Sequence, residues 1–383
     1  MRVSIVTPDL SHNCLGRSYV LAQLLEKNHE VEIIGPQFDA EVWGPLRNAY
    51  RYKGVKTSKR VYRFAASIPE LLTKITGDVI YASKPRMNSY GLSLLKALRS
   101  DYPLVLDIDD WESGFAYHGS QLGAYLKGIP FLAHANSFYY TRLFESLTNL
   151  ADARTVSNRF LQEKFSGTIV PHARDTDSFD PKRFDKQNIR KELDLPANKF
   201  IVMFSGTPHP YKGVDDLAKA LSRIECVEIK GIVVGADDSN YVRKVKHIAG
   251  DSITIRGRQP FDEIPKWIAA ADMIAIPQRN TPATRGQLPA KVFDAMAMAK
   301  PIVATNVSDL PIILEECGLI VEPEAPEQLR DAILKVFSDK ILQEELGQSA
   351  RQKCIQKYSY EALAPVLDDI VLDVVSKYHT SNK

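Results

Sequence analysis

Helical spacing places Asp294 one turn beyond Lys291. An ammonium beside the free N–H groups of a first helical turn suits a diphosphate, and a carboxylate one turn on suits the paired hydroxyls of a ribose. Lys212 lies in a setting of the same kind, Ser205-Gly-Thr-Pro-His-Pro-Tyr-Lys-Gly213, where a strand runs through a glycine loop into a helix. A third such place, Leu15-Gly16-Arg17, follows the first strand, and glycine there lets the backbone approach a ligand closely. Asp109-Asp110-Trp111-Glu112 brings three carboxylates to a strand's C-terminal end, the edge at which open parallel sheets bind ligands. Clustered carboxylates repel one another and are costly to bury alone, which points to a binding role for at least one. Plainer readings stand beside each of these: a solvated lysine, a structural turn, a helix cap. A divalent metal at the acidic cluster is chemically possible, but nothing else in the sequence supports it.

The elements that must position these residues alternate strand and helix. Arg2–Pro8, a helix from Ser18 to Lys27 and His29–Ile34 open the chain, and Asp78–Tyr81, a helix from Ser89 to Arg99 and Leu104–Ile108 repeat the pattern. In the second half, strands are expected at Phe200–Phe204, Gly231–Gly235, Ser252–Gly257, Met273–Pro277, Ile302–Ala304 and Leu319–Pro323. Pro289 suits a first helical turn, Val292, Phe293, Met296 and Ala297 form one apolar face, and Lys300-Pro301 ends that helix. The polar stretch from Pro181 to Asn198 reads as a linker. The fold class is therefore α/β, with Rossmann-like α/β/α domains over 1–180 and 181–360.

Length supports two domains, since 383 residues exceed one ordinary core. With 49 Lys and Arg against 47 Asp and Glu, charge gives no global argument for nucleic acid. Cys14, Cys226, Cys317 and Cys354 are scattered, which argues against zinc and disulfides and suits a reducing compartment. Met1–Pro8 is too short for a signal-peptide core, and no apolar run approaches a membrane span, so the expected location is the cytoplasm. Residues 113–145 mix aromatic side chains with Lys127, His134 and Arg142. They suit an acceptor, lipid headgroups at the inner face of the plasma membrane, or ordinary core. His118 is a further candidate beside the acidic cluster. No Gly-x-Gly-x-x-Gly follows a strand, which disfavours a dinucleotide dehydrogenase.

Asp294-Ala-Met-Ala297 and Lys300-Pro-Ile-Val-Ala304 resemble the signature of GT-B retaining glycosyltransferases of family 4, the glycosyl transferases group 1. In that signature two glutamates separated by seven residues flank the donor; Asp294 stands at the second, and Gly286 where the first would fall. The chain resembles branches with Pro-x-Lys before the helix and no first glutamate. The resemblance is strongest over 200–323 and weaker over 1–165. It implies two domains facing a cleft, with residues 361–383 crossing back to the first. It also implies a nucleotide-diphospho-sugar donor, a sugar, lipid-linked or small-molecule acceptor, and no essential metal or other cofactor. Polysaccharide, glycolipid or small-glycoside synthesis is the implied setting.

By the same resemblance, Gly16, Arg17, Gly206, Thr207, Lys212, Arg258, Gln287, Leu288, Lys291 and Asp294 bind the donor. Lys212, Lys291 and Asp109 serve the reaction, Asp109 replacing a histidine that many members carry. Thr207 replaces the family's phosphate-binding arginine, leaving His209, Arg285 or Lys291 to supply that charge. Members of the family are thought to react on one face of the sugar, the leaving phosphate helping to deprotonate the acceptor. Two alternatives remain: a non-catalytic GT-B scaffold holding a sugar nucleotide or a partner enzyme, and a GT-B epimerase of sugar nucleotides.

Overall fold

The computed structural model describes residues 1–117 and 121–381, and His118 lies outside them. The chain forms two compact units. The first comprises Met1–His172, the short segment Arg285–Leu288 and the stretch from Tyr360 onward; the second comprises Ala173–Thr284 and Pro289–Ser359.

The first unit is built on β1 (Arg2–Val6), β2 (Glu30–Gln37), β3 (Tyr52–Lys56), β4 (Val79–Ser83), β5 (Leu104–Ile108), β6 (Ala153–Val156) and β7 (Thr168–Ile169). They form one parallel sheet in the order β3-β2-β1-β4-β5-β6-β7. Every residue of β4 and β5 is buried, as expected of central parallel strands with both faces covered. The strand order reverses between β1 and β4, which opens a crevice at their C-terminal ends. Tyr360–Ser381 is a long helix whose Leu363, Leu367, Val371 and Val374 are buried. It lies against the helix Leu15–Leu25, and the turn after that helix is tied to it through Lys27–Glu361 (2.6 Å) and Asn28–Asp368 (2.9 Å).

The second unit repeats the plan with β8 (Phe200–Ser205), β9 (Ile229–Ala236), β10 (Ile253–Gly257), β11 (Met273–Ile276), β12 (Ile302–Thr305) and β13 (Leu319–Val321). Its parallel order is β10-β9-β8-β11-β12-β13, so the reversal falls between β8 and β11. Both Rossmann-like sheets expected from the sequence are present.

Two local expectations fail. Helix 15–25 begins earlier than expected, so Gly16 and Arg17 occupy its first turn and not a loop. The expected linker is folded into the second unit: Lys186–Glu192 is a helix capped by Asp185, whose carboxylate accepts from Asn188 N. Its Arg190 is buried on Asp272 at 2.6 Å and on the carbonyls of Ala197, Lys199 and Ala270. Among the described residues, no helix is long and apolar enough to cross a membrane.

Candidate functional site

At the β8/β11 reversal the chain leaves β8 through Gly206, at φ +119°, and enters the helix Val214–Ser222 through Gly213, at φ +64°. Both are backbone conformations that favour glycine. The Lys212 ammonium donates to the Thr207 carbonyl at 2.9 Å, which folds the loop back on itself. Lys291 opens the helix Lys291–Ala297 and reaches across to this loop. Its Nζ lies 3.6 Å from the Phe204 ring centroid and 3.0 Å from where a Cβ on Gly206 would stand. Burial pushes the Lys291 ammonium well below the usual lysine range, Lys212 adds repulsion, and Asp294 offsets only part of this.

His209 stacks on Tyr211, ring centroids 5.3 Å apart and planes 12° from parallel. Burial lowers the His209 pKa, Lys212, Lys291 and Arg258 lower it further, and Asp237 opposes them. Four basic side chains therefore share one neighbourhood. Arg258 is exposed and reaches Asp237 only at 3.8 Å. Two lysines held together, one of them desolvated, make a place that favours an anion. The loop itself is sterically committed: a Cβ on Gly213 would lie 1.9 Å from the Pro277 carbonyl oxygen. Gly213→Ala is expected to lower unfolding free energy by about 2 kcal/mol, measured by urea denaturation. An unchanged midpoint would show that the loop yields instead.

Asp294 is buried, and its Oδ1 accepts from Arg174 Nε in an ion pair. Arg174 also donates to the Ala173 carbonyl and faces the rings of Phe179 and Phe261. Sequence reasoning missed this arginine, because its partner lies 120 residues away and no local spacing announces the pair.

In the first unit Arg17 is 3% exposed and every nitrogen of its guanidinium donates a hydrogen bond. It binds Asp107 through Nε (2.9 Å) and Nη2 (2.7 Å), and the Pro171 and Val170 carbonyls at 3.0 and 2.8 Å. The expectation that Arg17 contacts a ligand is corrected: its donors tie β5 to the chain beyond β7. Gly16 is not forced by crowding, since a Cβ there would meet only the Trp43 ring at 3.8 Å.

Asp109, Asp110 and Glu112 converge beyond β5 with oxygens close enough together to bind a metal. Lys84, itself buried at φ +68°, occupies that position. Its Nζ lies 2.7 Å from Asp109, 2.6 Å from Asp110 and 2.8 Å from Glu112, so an ammonium stands where a cation would. Arg86 adds a second cation on Glu112. Glu112 is held down at about 2, its own burial opposed by Arg86 and Lys84. Asp109 is pushed up to about 7 by burial, with the charges of Asp110 and Asp107 adding to it against Lys84 and Arg17. Asp109 is thus poised to change charge near neutrality. Lys84 and Arg86 were missed because Lys84-Pro-Arg86 reads as an ordinary charged turn.

The remaining expected residues separate. Within the first unit, Gln287 donates to Asp110 Oδ1 at 3.1 Å, and Leu288 is buried. A Cβ on Gly286 would lie 2.4 Å from the Trp111 Cβ, so a glutamate at that position has no room here. The loop and helix residues Gly206, Thr207, Lys212 and Lys291 are brought together, with Arg258 nearby.

Residues 199–339 match the family described as glycosyl transferases group 1. Over 242 residues the chain is 27% identical to a GDP-mannose-dependent alpha-(1-6)-phosphatidylinositol monomannoside mannosyltransferase of Mycobacterium tuberculosis. That alignment covers 57% of this chain and spans 61% of the relative's length. A putative teichuronic acid biosynthesis glycosyltransferase of Bacillus subtilis, TuaC, is 20% identical over 358 residues, covering 90% of this chain and 83% of that one. Anabaena Alr3699/HepE in complex with UDP-glucose superposes with a TM-score of 0.76 at 17% identity, covering 97% of this chain and 100% of that one. The likeness in architecture establishes the GT-B fold.

Proposed function

We infer, from the match of residues 199–339 to the glycosyl transferases group 1 family, that the protein transfers a sugar from a nucleotide-diphospho-sugar to an acceptor, with retention at the anomeric carbon. The observation that carries this reading is the desolvated Lys291 held beside Lys212 across the Gly206 loop. Negative charge develops on the departing diphosphate as the sugar bond breaks. Cations already fixed at that point stabilise the transition state more than the bound donor. Gly206 and Thr207 bring the loop backbone to the phosphates, and Arg258 with His209 supplies the charge that Thr207 lacks.

Asp294, oriented by Arg174, accepts from the ribose hydroxyls. In the first unit, Gly16 and Asp109 serve the acceptor and the transferred sugar; Arg17 is withdrawn from that set. The relatives named as mannosyltransferase and teichuronic acid glycosyltransferase, and the neighbour holding UDP-glucose, support a sugar-nucleotide donor and a lipid-linked or polysaccharide acceptor. Work on a lipid-linked acceptor would place the protein at the inner face of a membrane, in peripheral contact.

The test is calorimetric titration with UDP, GDP, ADP, dTDP and their sugar conjugates. One nucleotide class is expected to bind, and Lys212→Ala to weaken it by about tenfold to a hundredfold, the loss of one charge-assisted contact. If no nucleotide binds the wild type, the transferase reading fails and a scaffold takes its place.

A further inference from the structure

Two stretches of the first unit carry cations and no acids. Residues 42–69 hold seven Lys or Arg and no Asp or Glu, and residues 113–144 hold Lys127, Arg142 and two histidines with no acid. In a chain whose 49 basic and 47 acidic residues nearly balance, this is a segregation of charge. The fold joins the two stretches edge to edge. Val61 N donates to the Ala133 carbonyl at 2.8 Å, Ala135 N donates to the Lys59 carbonyl at 2.7 Å, and Arg60 pairs with His134.

Apolar side chains stand out along this seam. Residues 129–134, Ile-Pro-Phe-Leu-Ala-His, are exposed without a break. Ile129 and Phe131 are more than half exposed, at 52% and 54%, and Leu126 and Tyr62 reach 60%. Arg60, Arg63 and Lys127 are exposed in the same segments. The helix under them is braced by Tyr125, whose ring lies 5.0 Å from Phe138 and 5.8 Å from Tyr139, so the face is formed in advance.

We propose that this face docks on an anionic lipid bilayer, with Leu126, Ile129, Phe131 and Tyr62 entering the headgroup region and Arg60, Arg63 and Lys127 on the lipid phosphates. Apolar tips rimmed by cations match an interface that is apolar below and anionic above. A nucleic acid would neutralise the cations but leave the aliphatic tips in water. A second copy of the same face would bring like charges together. The proposal deepens the reading of the protein as a transferase for a lipid-linked acceptor and rests on that reading for its purpose; the binding itself needs neither donor nor acceptor.

Sedimentation with vesicles tests it. The wild type is expected to pellet with phosphatidylcholine vesicles containing phosphatidylglycerol, and at least about tenfold less with phosphatidylcholine alone. Arg60→Glu/Arg63→Glu and, separately, Ile129→Ser/Phe131→Ser should each lower binding by about tenfold or more, with circular dichroism and nucleotide titrations unchanged. Equal binding to both vesicle types, no binding to the anionic ones, or binding unaffected by both variants would overturn the proposal. So would pelleting of the wild type without vesicles, or an oligonucleotide affinity that depends on Arg60 and Arg63 while anionic vesicles are ignored. Vesicle binding without nucleotide binding would keep the surface and sink the transferase; the converse would do the reverse.

Discussion

Lys84→Met is expected to lower the unfolding free energy by about 3–5 kcal/mol, because it removes the ammonium shared by two buried carboxylates, Asp109 and Glu112, and the half-buried Asp110. Wild-type Nζ is 2.6–2.8 Å from Asp109, Asp110 and Glu112, and without it Arg86 would remain paired with Glu112 and Arg17 would act on Asp109 from further off. The deficit should depend on pH in a definite direction. Asp109 already sits at about 7, well above its ordinary 3.8, and loss of Lys84 pushes it further up. An acid whose folded pKa exceeds its unfolded one binds more protons when folded, so stability falls as pH rises from about 4 through the folded pKa. Urea denaturation should therefore show a larger deficit at pH 8 than at pH 5. Millimolar calcium should raise the midpoint of the variant and leave the wild type unmoved, since the emptied position offers three carboxylate ligands. A variant as stable as the wild type at pH 8 would show that the carboxylates do not depend on Lys84.

Lys291→Met should do the opposite to stability and more to binding. A desolvated ammonium crowded by Lys212 is costly in the ligand-free protein, so its replacement by an apolar side chain of similar length should add about 0.5–2 kcal/mol. Diphosphate affinity should fall by about a hundredfold or more, the cost of a buried charge-assisted contact. The proton balance gives a sharper signature. Lys291 has a folded pKa below its unfolded value, so the unfolded chain binds more protons between the two. The penalty is complete below the folded pKa and disappears as pH rises from there toward 10.5. A bound diphosphate restores the charge, so binding takes up a proton above the folded pKa and weakens as pH increases. Above the folded pKa, titrations in buffers of different ionisation enthalpy should therefore disagree more for the wild type than for Lys291→Met, in which His209 is left as the group that takes up a proton. A variant that binds diphosphate normally would remove Lys291 from the donor site.

Much of this was legible along the chain, because local rules govern it. Apolar runs such as Leu104–Ile108 announce buried parallel strands, and the glycine loop ending at Gly213 announces a sharp entry into a helix. The association of Lys212 with Lys291 was legible only through a resemblance, since they sit on separate segments that β8 and β11 bring side by side. What stayed hidden were partnerships between distant residues. Arg17 looked like a ligand contact until Asp107, 90 residues on, was found to accept from its Nε and Nη2. The acid in Leu-Val-Leu-Asp-Ile was the available clue, because a carboxylate in a buried strand needs a cation somewhere. Lys84 and Arg174 carried no comparable signal. The missing glutamate at Gly286 is explained by Trp111, which no spacing rule would pair with it.

The helix Tyr360–Ser381 makes the first unit discontinuous, and this sets an order on biosynthesis. By the time residue 172 has left the ribosome, all seven strands of that sheet exist. The helix that covers Leu15–Leu25 is still untranslated, and it arrives only after the whole of the second unit. For that interval the nascent chain shows solvent the apolar surface that Leu363, Leu367, Val371 and Val374 later seal. A holding chaperone would find its target there, and a stalled or clipped message ending before residue 360 would yield a protein prone to aggregate through its amino-terminal half.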